Sequence, residues 1–222
     1  MQLTNDAAGA SRPVLVRCAV KRTIDVLLSA VGLVVFSPLL LLAAVLIRLD
    51  SPGPALFRQW RVGRGGALFT CLKFRTMYVD ADERVHRDAV RRLAAGEAIS
   101  GDPRAWAKLT DDPRVTRAGR ILRRASFDEL PQLINVLRGE MSIVGPRPAI
   151  PYELELYENW YFERQLVKPG ITGPWQVYGR GRCSFQQMMQ FDVTYARTWT
   201  IWKDVKLIVL TVPRVLNLLG AY

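Results

Sequence analysis

The chain is poor in the residues from which metal centres and disulfide frameworks are usually built. It has three cysteines, Cys18, Cys71 and Cys183, and one histidine, His86, in 222 residues. Cysteines odd in number and widely spaced suggest neither a disulfide framework nor a zinc site, and read as reduced structural thiols. His86 stands in the charged run Val79–Leu93, which reads as a solvated helix, and is given no chemical role. Internal repeats and low-complexity tracts are absent. Negative charge is scarce as well: 20 Asp+Glu face 31 Lys+Arg, a formal net charge of +11. With 50% hydrophobic and 23% charged residues, a disordered chain is excluded. The length suits one domain with a real core. A surplus of positive charge calls for an anionic partner such as nucleic acid, a phosphorylated substrate or a membrane surface. A nucleic-acid-binding protein would have the charge here but no recognisable reading module.

The apolar residues are concentrated. From Val26 to Leu49 the only charge is Arg48; a helix of about 24 residues reaches about 36 Å, enough for a bilayer core of about 30 Å. A cleaved signal peptide is discounted, because the stretch is too long and no small-x-small site follows. Basic residues mark both flanks, Arg12, Arg17, Lys21 and Arg22 before and Arg58, Arg61, Arg64, Lys73 and Arg75 after, whereas a span carries them mainly on one side. Ser37-Pro38 lies at the midpoint, where proline removes a backbone donor and bends a helix. Two readings follow: a re-entrant hairpin that enters one leaflet and returns, which the flanks favour, and a simple span with Pro38 as a mild kink.

Ser51-Pro52-Gly53-Pro54 stops the apolar helix, and two short apolar runs around Gly63-Arg64-Gly65-Gly66 predict a β-hairpin. These glycines match neither a P-loop nor a dinucleotide fingerprint, since no long helix opens directly after them. Tyr78 to Arg124 reads as surface helices and loops, broken at Gly101-Asp102-Pro103 and Asp111-Asp112-Pro113.

Chemistry concentrates between Ile121 and Pro148. Leu130, Leu133, Ile134 and Leu137 form a helical stripe that Gly139 can end, and Pro131 belongs in a first turn. Asp128 and Glu129 then sit at a helix N-terminus, where the dipole and free N–H groups favour carboxylates and phosphates. On a helix they point about 100° apart, so one can face a substrate and the other a metal or an arginine. Capping is the competing account, because Ser126-x-x-Glu129 matches a capping box. Against it stands the surrounding charge: Arg120, Arg123 and Arg124 upstream, and Arg147 locked between Pro146 and Pro148. Several guanidiniums suit a diphosphate ligand. Lys73, Arg75 and Arg147 are candidate diphosphate or nucleotide contacts, with solvated surface charge as the alternative. From Phe191 to Leu219, Tyr195, Trp199 and Trp202 alternate with Lys203, Lys206 and Arg214 on an apolar helical pattern that suits either a membrane interface or a packed core.

Taken in order, Lys21-Arg22-x-x-Asp25, Ser37-Pro38, Ser51-Pro52-Gly53-Pro54, Lys73-Phe74-Arg75-Thr76-Met77, Asp128-Glu129-Leu130-Pro131-Gln132-Leu133, Gly145-Pro146-Arg147-Pro148 and Lys168-Pro169-Gly170-Ile171-Thr172-Gly173 resemble the bacterial sugar transferases. More narrowly, the chain resembles the monotopic phosphoglycosyl transferases that start glycan assembly on polyprenol phosphate. The resemblance covers about nine-tenths of the chain and implies a re-entrant helix broken at Ser37-Pro38. It implies that Asp128 attacks the phosphate attached to the sugar of a nucleotide sugar, forming an aspartyl phosphosugar and releasing a nucleoside monophosphate. Polyprenol phosphate then accepts the phosphosugar, and one site serves two substrates in turn. It also implies that Glu129, with Asp128, helps hold Mg²⁺, and that Arg123 binds a lipid or substrate phosphate. Asp204 matches a late acid placed near the metal, a surface salt bridge being the alternative. Gly170 and Gly173 shape a loop.

The expected fold is therefore α+β and mostly helical, a monotopic membrane protein with a re-entrant helix-break-helix, a small β-hairpin and surface helices. Residues 1–20 form a short N-terminal tail, 21–50 the membrane hairpin, and 51–222 a cytoplasmic catalytic domain with interfacial C-terminal helices. The resemblance is to the catalytic module of exopolysaccharide-initiating enzymes, without the extra N-terminal region that many carry. Expected partners are a UDP-sugar, undecaprenyl phosphate and membrane lipid, without nucleic acid; a homodimer is left open. The expected location is the cytoplasmic face of the bacterial inner membrane. A membrane-anchored scaffold without catalysis is the rival.

Overall fold

The computed structural model describes residues 12–96, 112–179 and 183–220, with only the backbone described at 12–14 and 214–220. The chain is mostly helical with two small sheets, in the order α1 (Arg12–Val35), α2 (Ser37–Asp50), β1 (Leu56–Val62), β2 (Leu68–Phe74), α3 (Arg84–Ala94), α4 (Arg117–Arg124), α5 (Gln132–Arg138), β3 (Ser142–Val144), β4 (Gly170–Thr172), α6 (Phe185–Thr198) and α7 (Ile201–Gly220). Helix α1 starts upstream of the boundary placed at residue 21; the expected tail falls partly on α1 and partly outside the described residues. The break at Gly101-Asp102-Pro103 also lies outside them.

Helices α1 and α2 meet at Phe36 with a bend of 62°. The cause is local. Pro38 has no N–H for the carbonyl of Val34, four residues before it, and the Ser37 hydroxyl donates to that carbonyl instead at 2.7 Å. Among the described residues no single helix is long and apolar enough to cross a membrane; the bent pair meets that test only when taken together. Leu27, Val31, Val34, Val35, Leu41, Leu42, Val45 and Leu49 are exposed on it, more large apolar side chains than soluble surfaces ordinarily leave open.

The basic motif at the foot of α1 fastens the pair to the rest. Arg22 donates to the carbonyls of Val136 (2.5 Å) and Leu137 (2.8 Å) in the last turn of α5, where carbonyls lack intrahelical partners. Buried Asp25 accepts from Ser142 Oγ at 3.0 Å and from the Ile143 amide at 2.9 Å on β3. Lys21 donates to Val144 O at 3.1 Å and to Asp204 Oδ2 at 2.6 Å on α7. One turn of α1 thereby grips α5, β3 and α7.

Strands β1 and β2 form the expected antiparallel hairpin, with Leu56 opposite Phe74 and Val62 opposite Leu68. Gly65 and Gly66 turn it at φ +65° and +82°, the left-handed backbone that glycine adopts without strain. The parallel pair β3–β4 has no counterpart in the sequence reading. It is three residues per strand, too short for a period-2 signal. Its strands meet where Gly145 and Gly170 approach so closely that a Cβ on Gly170 would lie 2.0 Å from the Gly145 amide nitrogen.

The C-terminal helices pack on the core as one of the two alternatives had it, and α7 also leaves an apolar strip exposed. Tyr195 and Leu207 are buried with Val144 and Val177, whereas Trp202, Val205, Val209 and Val212 are exposed along α7.

Candidate active site

Asp128 and Glu129 lie in a 3-10 turn, Phe127–Glu129, that runs through Leu130 and Pro131 into α5. The capping box is not formed. Ser126 adopts the left-handed conformation at φ +54°, its hydroxyl makes no capping bond, and its Oγ is buried without a partner. A cap residue is extended, so this backbone argues against the Ser126 capping box. Strain at a non-glycine residue next to paired acids fits a functional turn.

Helix α5 is shorter than the stripe Leu130–Leu137 suggested, and it buries two faces. Leu133 packs against Gly32 of α1, while Asn135 and Val136 are fully buried toward the hairpin. Asn135 accepts from the Leu72 amide at 2.9 Å and donates to Thr70 O at 2.7 Å and Glu140 Oε2 at 2.6 Å. It pins α5 along the edge of β2, which sets the turn carrying Asp128 opposite Lys73.

The first four residues of Lys73-Phe74-Arg75-Thr76-Met77 have separate tasks. Lys73 Nζ reaches Glu129 Oε1 at 3.0 Å, with 24% and 38% of the two side chains exposed. Such an open pair is worth less than about 1 kcal/mol, so an incoming anion or cation can displace it. Phe74 is buried with Ala43, Ile47 and Leu122, tying β2 to α2 and α4. Arg75 does not face the site, contrary to expectation. It is buried and donates to Ser51 O at 2.7 Å, to Pro52 O and, at 3.4 Å, to Ile47 O, so it closes the end of α2. The exposed-looking cation is drawn there by the Ser51 and Pro52 carbonyls just past the helix end, while Ile47 O also accepts from the Ser51 amide at 3.2 Å. Thr76 Oγ1 accepts from Arg123 Nε at 2.9 Å, and Thr76 O accepts from the Thr116 amide at 3.1 Å. Gly119 of α4 is required here, since a Cβ would lie 2.1 Å from Thr76 O.

Asp128, Glu129, Lys73 and Arg123 therefore form one electrostatic group. Burial and the adjacent Glu129 push the Asp128 carboxyl up to about 6, against the opposing pull of Lys73 and Arg123. Burial lowers the Arg123 guanidinium, with Asp128 acting in the other direction. Mg²⁺ fits this pair of acids: they offer hard oxygen donors, and a divalent cation relieves the repulsion that raises Asp128. Among the described residues no three His, Cys, Asp or Glu side chains are gathered as a metal cluster, so two carboxylates would share such an ion with phosphate oxygens and water.

Asp204 is placed elsewhere. Its Oδ2 pairs with Lys21 at 2.6 Å and its Oδ1 accepts from Tyr195 OH at 2.5 Å. It is a buried salt bridge inside the clamp between α1 and α7, and not the surface pair weighed as its alternative. Ser37 and Pro38 stand at the helix break as expected.

Arg147 lies in a second cluster that adjoins the first through Arg61 on β1. Its Nη1 is 3.5 Å from Glu153 Oε1, and Glu153 also accepts from the Ile150 amide at 3.1 Å. Burial alone would raise Glu153, but Arg147 and Arg61 hold it below the usual carboxylate range. Arg61 is lowered by burial and by the like charge of Arg147, while Glu153 and Glu129 act to raise it. Arg61 was read only as a basic flank of the apolar segment, and Glu153, Arg164 and Asp192 were not singled out from the sequence. The available signal was charge at positions that otherwise read as apolar elements, in Leu56–Val62 and Phe185–Thr198.

A model of the family described as bacterial sugar transferase matches residues 16–218. The exopolysaccharide production protein ExoY of Rhizobium meliloti is 40% identical over 98% of this chain and 93% of its own length. The UDP-glucose:undecaprenyl-phosphate glucose-1-phosphate transferase of Caulobacter vibrioides is 46% identical over 91% of this chain and 72% of its own. The undecaprenyl-phosphate galactose phosphotransferase of Salmonella typhimurium is 41% identical over 91% of this chain, which spans 41% of that protein's length. A 40% identical uncharacterized sugar transferase of Haemophilus influenzae is likewise spanned over 45% of its length. With its motifs in order and the family match running over nearly all of its length, the chain belongs to the bacterial sugar transferase family.

Proposed function

We propose that this protein transfers a sugar 1-phosphate from a UDP-sugar to undecaprenyl phosphate, releasing UMP, as the first membrane step of exopolysaccharide or other surface glycan synthesis. The observation that carries the reading is the turn Phe127–Glu129: two adjacent carboxylates, next to a left-handed Ser126 that makes no capping bond, grouped with Lys73 and Arg123. The names of relatives at about 40% identity support the reaction type.

In the proposed scheme an ionised Asp128 oxygen attacks the phosphorus that bears the sugar. The new carboxyl–phosphorus bond forms as the bond to the bridging oxygen breaks, and the electron pair leaves on UMP. A phosphate oxygen of the polyprenol carrier then attacks the same phosphorus and returns Asp128 as its carboxylate. A covalent intermediate lets a soluble and a lipid substrate use one site in succession. Arg123 and Lys73 neutralise phosphate oxygens as charge builds during each displacement. Mg²⁺, held by Asp128 and Glu129 when bound, would offset the charge of the diphosphate. Lys73, whose pair with Glu129 is open to solvent and weak, exchanges that carboxylate for the donor phosphates. Arg147 contacts the donor diphosphate from the adjoining cluster.

The exposed apolar surface of α1 and α2, with the 62° bend, supports a re-entrant pair resting in the cytoplasmic leaflet of the bacterial inner membrane. Trp202 and the valines of α7 would add an interfacial contact.

The reading is tested by incubating detergent-purified protein with Mg²⁺, undecaprenyl phosphate and a panel of UDP-hexoses that includes glucose and galactose. UMP as the released nucleotide supports it, and UDP contradicts it, because UDP means transfer of the sugar without its phosphate.

A further inference from the structure

The Pro146-Arg147-Pro148 loop is held by two buried guanidiniums at successive carbonyls. Arg61, 5% exposed, donates from Nη1 to Pro148 O at 2.8 Å and from Nη2 to Gln59 Oε1 at 2.6 Å. Arg164, equally buried, donates from Nη2 to Arg147 O at 2.7 Å and is fixed by Asp192 and the Tyr157 hydroxyl. The end of β1 adds the Val62 amide, bonded to Ala149 O at 2.9 Å. Prolines on both sides restrict the backbone of the loop further.

The guanidinium at the centre of this bracing is treated differently. Among the described residues its hydrogen-bond contact is the long one to Glu153, and a quarter of the Arg147 side chain stays exposed beside Glu153, of which 5% is exposed. Burying arginines to hold neutral carbonyls is costly for stability alone, because each charge loses its water. Arg61 carries this cost with its Nε buried and without a partner. The expense is understandable if the main chain must hold one particular arginine in place.

We propose that Arg61 is a positioning residue for donor binding: it fixes the loop carbonyl after Arg147, opposite Arg164, so that the Arg147 guanidinium is presented to a nucleoside diphosphate, which takes the place of Glu153 as its counter-ion. This rests on the reading above that Arg147 contacts the donor diphosphate. Preorganisation of this kind acts on the affinity for the donor and leaves the lipid acceptor untouched.

The test is calorimetric binding of UDP, with Mg²⁺, to the full-length detergent-purified chain, in wild type, Arg61→Lys, Arg147→Ala and the double variant. Lysine keeps the charge of Arg61 but not the fork that spans Pro148 and Gln59. Arg61→Lys is expected to weaken UDP binding about tenfold in wild type and less than about twofold in the Arg147→Ala background, since a residue acting through another loses its effect with it. The KM for undecaprenyl phosphate should not move. Equal weakening in both backgrounds, or none in wild type, overturns the proposal while leaving the donor reading intact. If Arg147→Ala itself leaves UDP binding unchanged, the donor reading fails and the proposal with it. Should Arg61→Lys not fold, Glu153→Gln decides: it keeps the bond from the Ile150 amide, and UDP should bind several-fold tighter. Unchanged or weaker binding there overturns the proposal.

Discussion

Asp128 is held at a cost. A carboxyl whose folded pKa lies near 6, above its ordinary value near 3.8, binds protons more readily in the native state than in the unfolded one. The penalty is therefore complete above pH 6, shrinks as pH falls through that value, and disappears below the unfolded pKa. Asp128→Asn removes the charge with almost no change of shape. It is expected to stabilise the protein by about 1 kcal/mol at pH 8, after allowance for solvent at a partly exposed group, and by almost nothing at pH 3. The same variant should lose turnover by at least about a thousandfold, because an amide cannot form the intermediate. Thermal unfolding in detergent at the two pH values, beside the UMP assay, checks both halves. Arg75 and Arg123 separate in a similar way. Arg75→Ala takes the guanidinium donor from the Ser51 and Pro52 carbonyls behind α2 and is expected to cost about 2–4 kcal/mol, with the KM for the donor unchanged in the folded fraction. Arg123→Ala should instead reduce turnover with a smaller loss of stability; kinetics paired with melting curves distinguishes them.

At the scale of elements, much of the site was readable because proline and glycine punctuate it. Pro131 and Gly139 bound α5, Pro38 bends the apolar pair, and Gly65-Gly66 turn the hairpin. What could not be read depends on contacts distant in sequence. The left-handed Ser126 contradicts its own capping-box pattern, which local spacing alone cannot reveal. Arg75 and Lys73, two residues apart on β2 and its exit, resemble each other as basic residues; only the position of the α2 terminus separates a structural cation from one at the site. Asp204 was assigned by its place in a motif, but its surroundings are Lys21 and Tyr195. Asn135 is another long-range contact, and it makes the strongest prediction at this scale. Replacing it by Ala strands the Leu72 amide and Thr70 carbonyl and should cost about 2–4 kcal/mol, lowering the Tm by roughly 5–15 °C in a chain of this size. Activity should fall with it, since the same side chain sets the distance between β2 and the Asp128 turn.

For the whole molecule, the +11 charge and the exposed apolar surface belong to one arrangement: basic flanks on both sides of a bent apolar pair. If the pair is re-entrant, both flanks lie on the same side. Cys18 is already exposed on α1 and reports the first flank. With Cys71 and Cys183 replaced by Ser and Arg58→Cys marking the second flank, an impermeant thiol reagent should label neither position in intact spheroplasts and both after lysis. Labelling of one position alone from outside would establish a span.

The account depends most on a covalent step at Asp128, and the most direct measurement is a single-turnover experiment without the lipid acceptor. Protein mixed with Mg²⁺ and the accepted UDP-sugar should release close to one UMP per active site and then stop, with the sugar phosphate recovered on the peptide that contains Asp128. Asp128→Asn should give neither. Nucleotide release that requires undecaprenyl phosphate from the first turnover, or a burst that survives in Asp128→Asn, would contradict the mechanism.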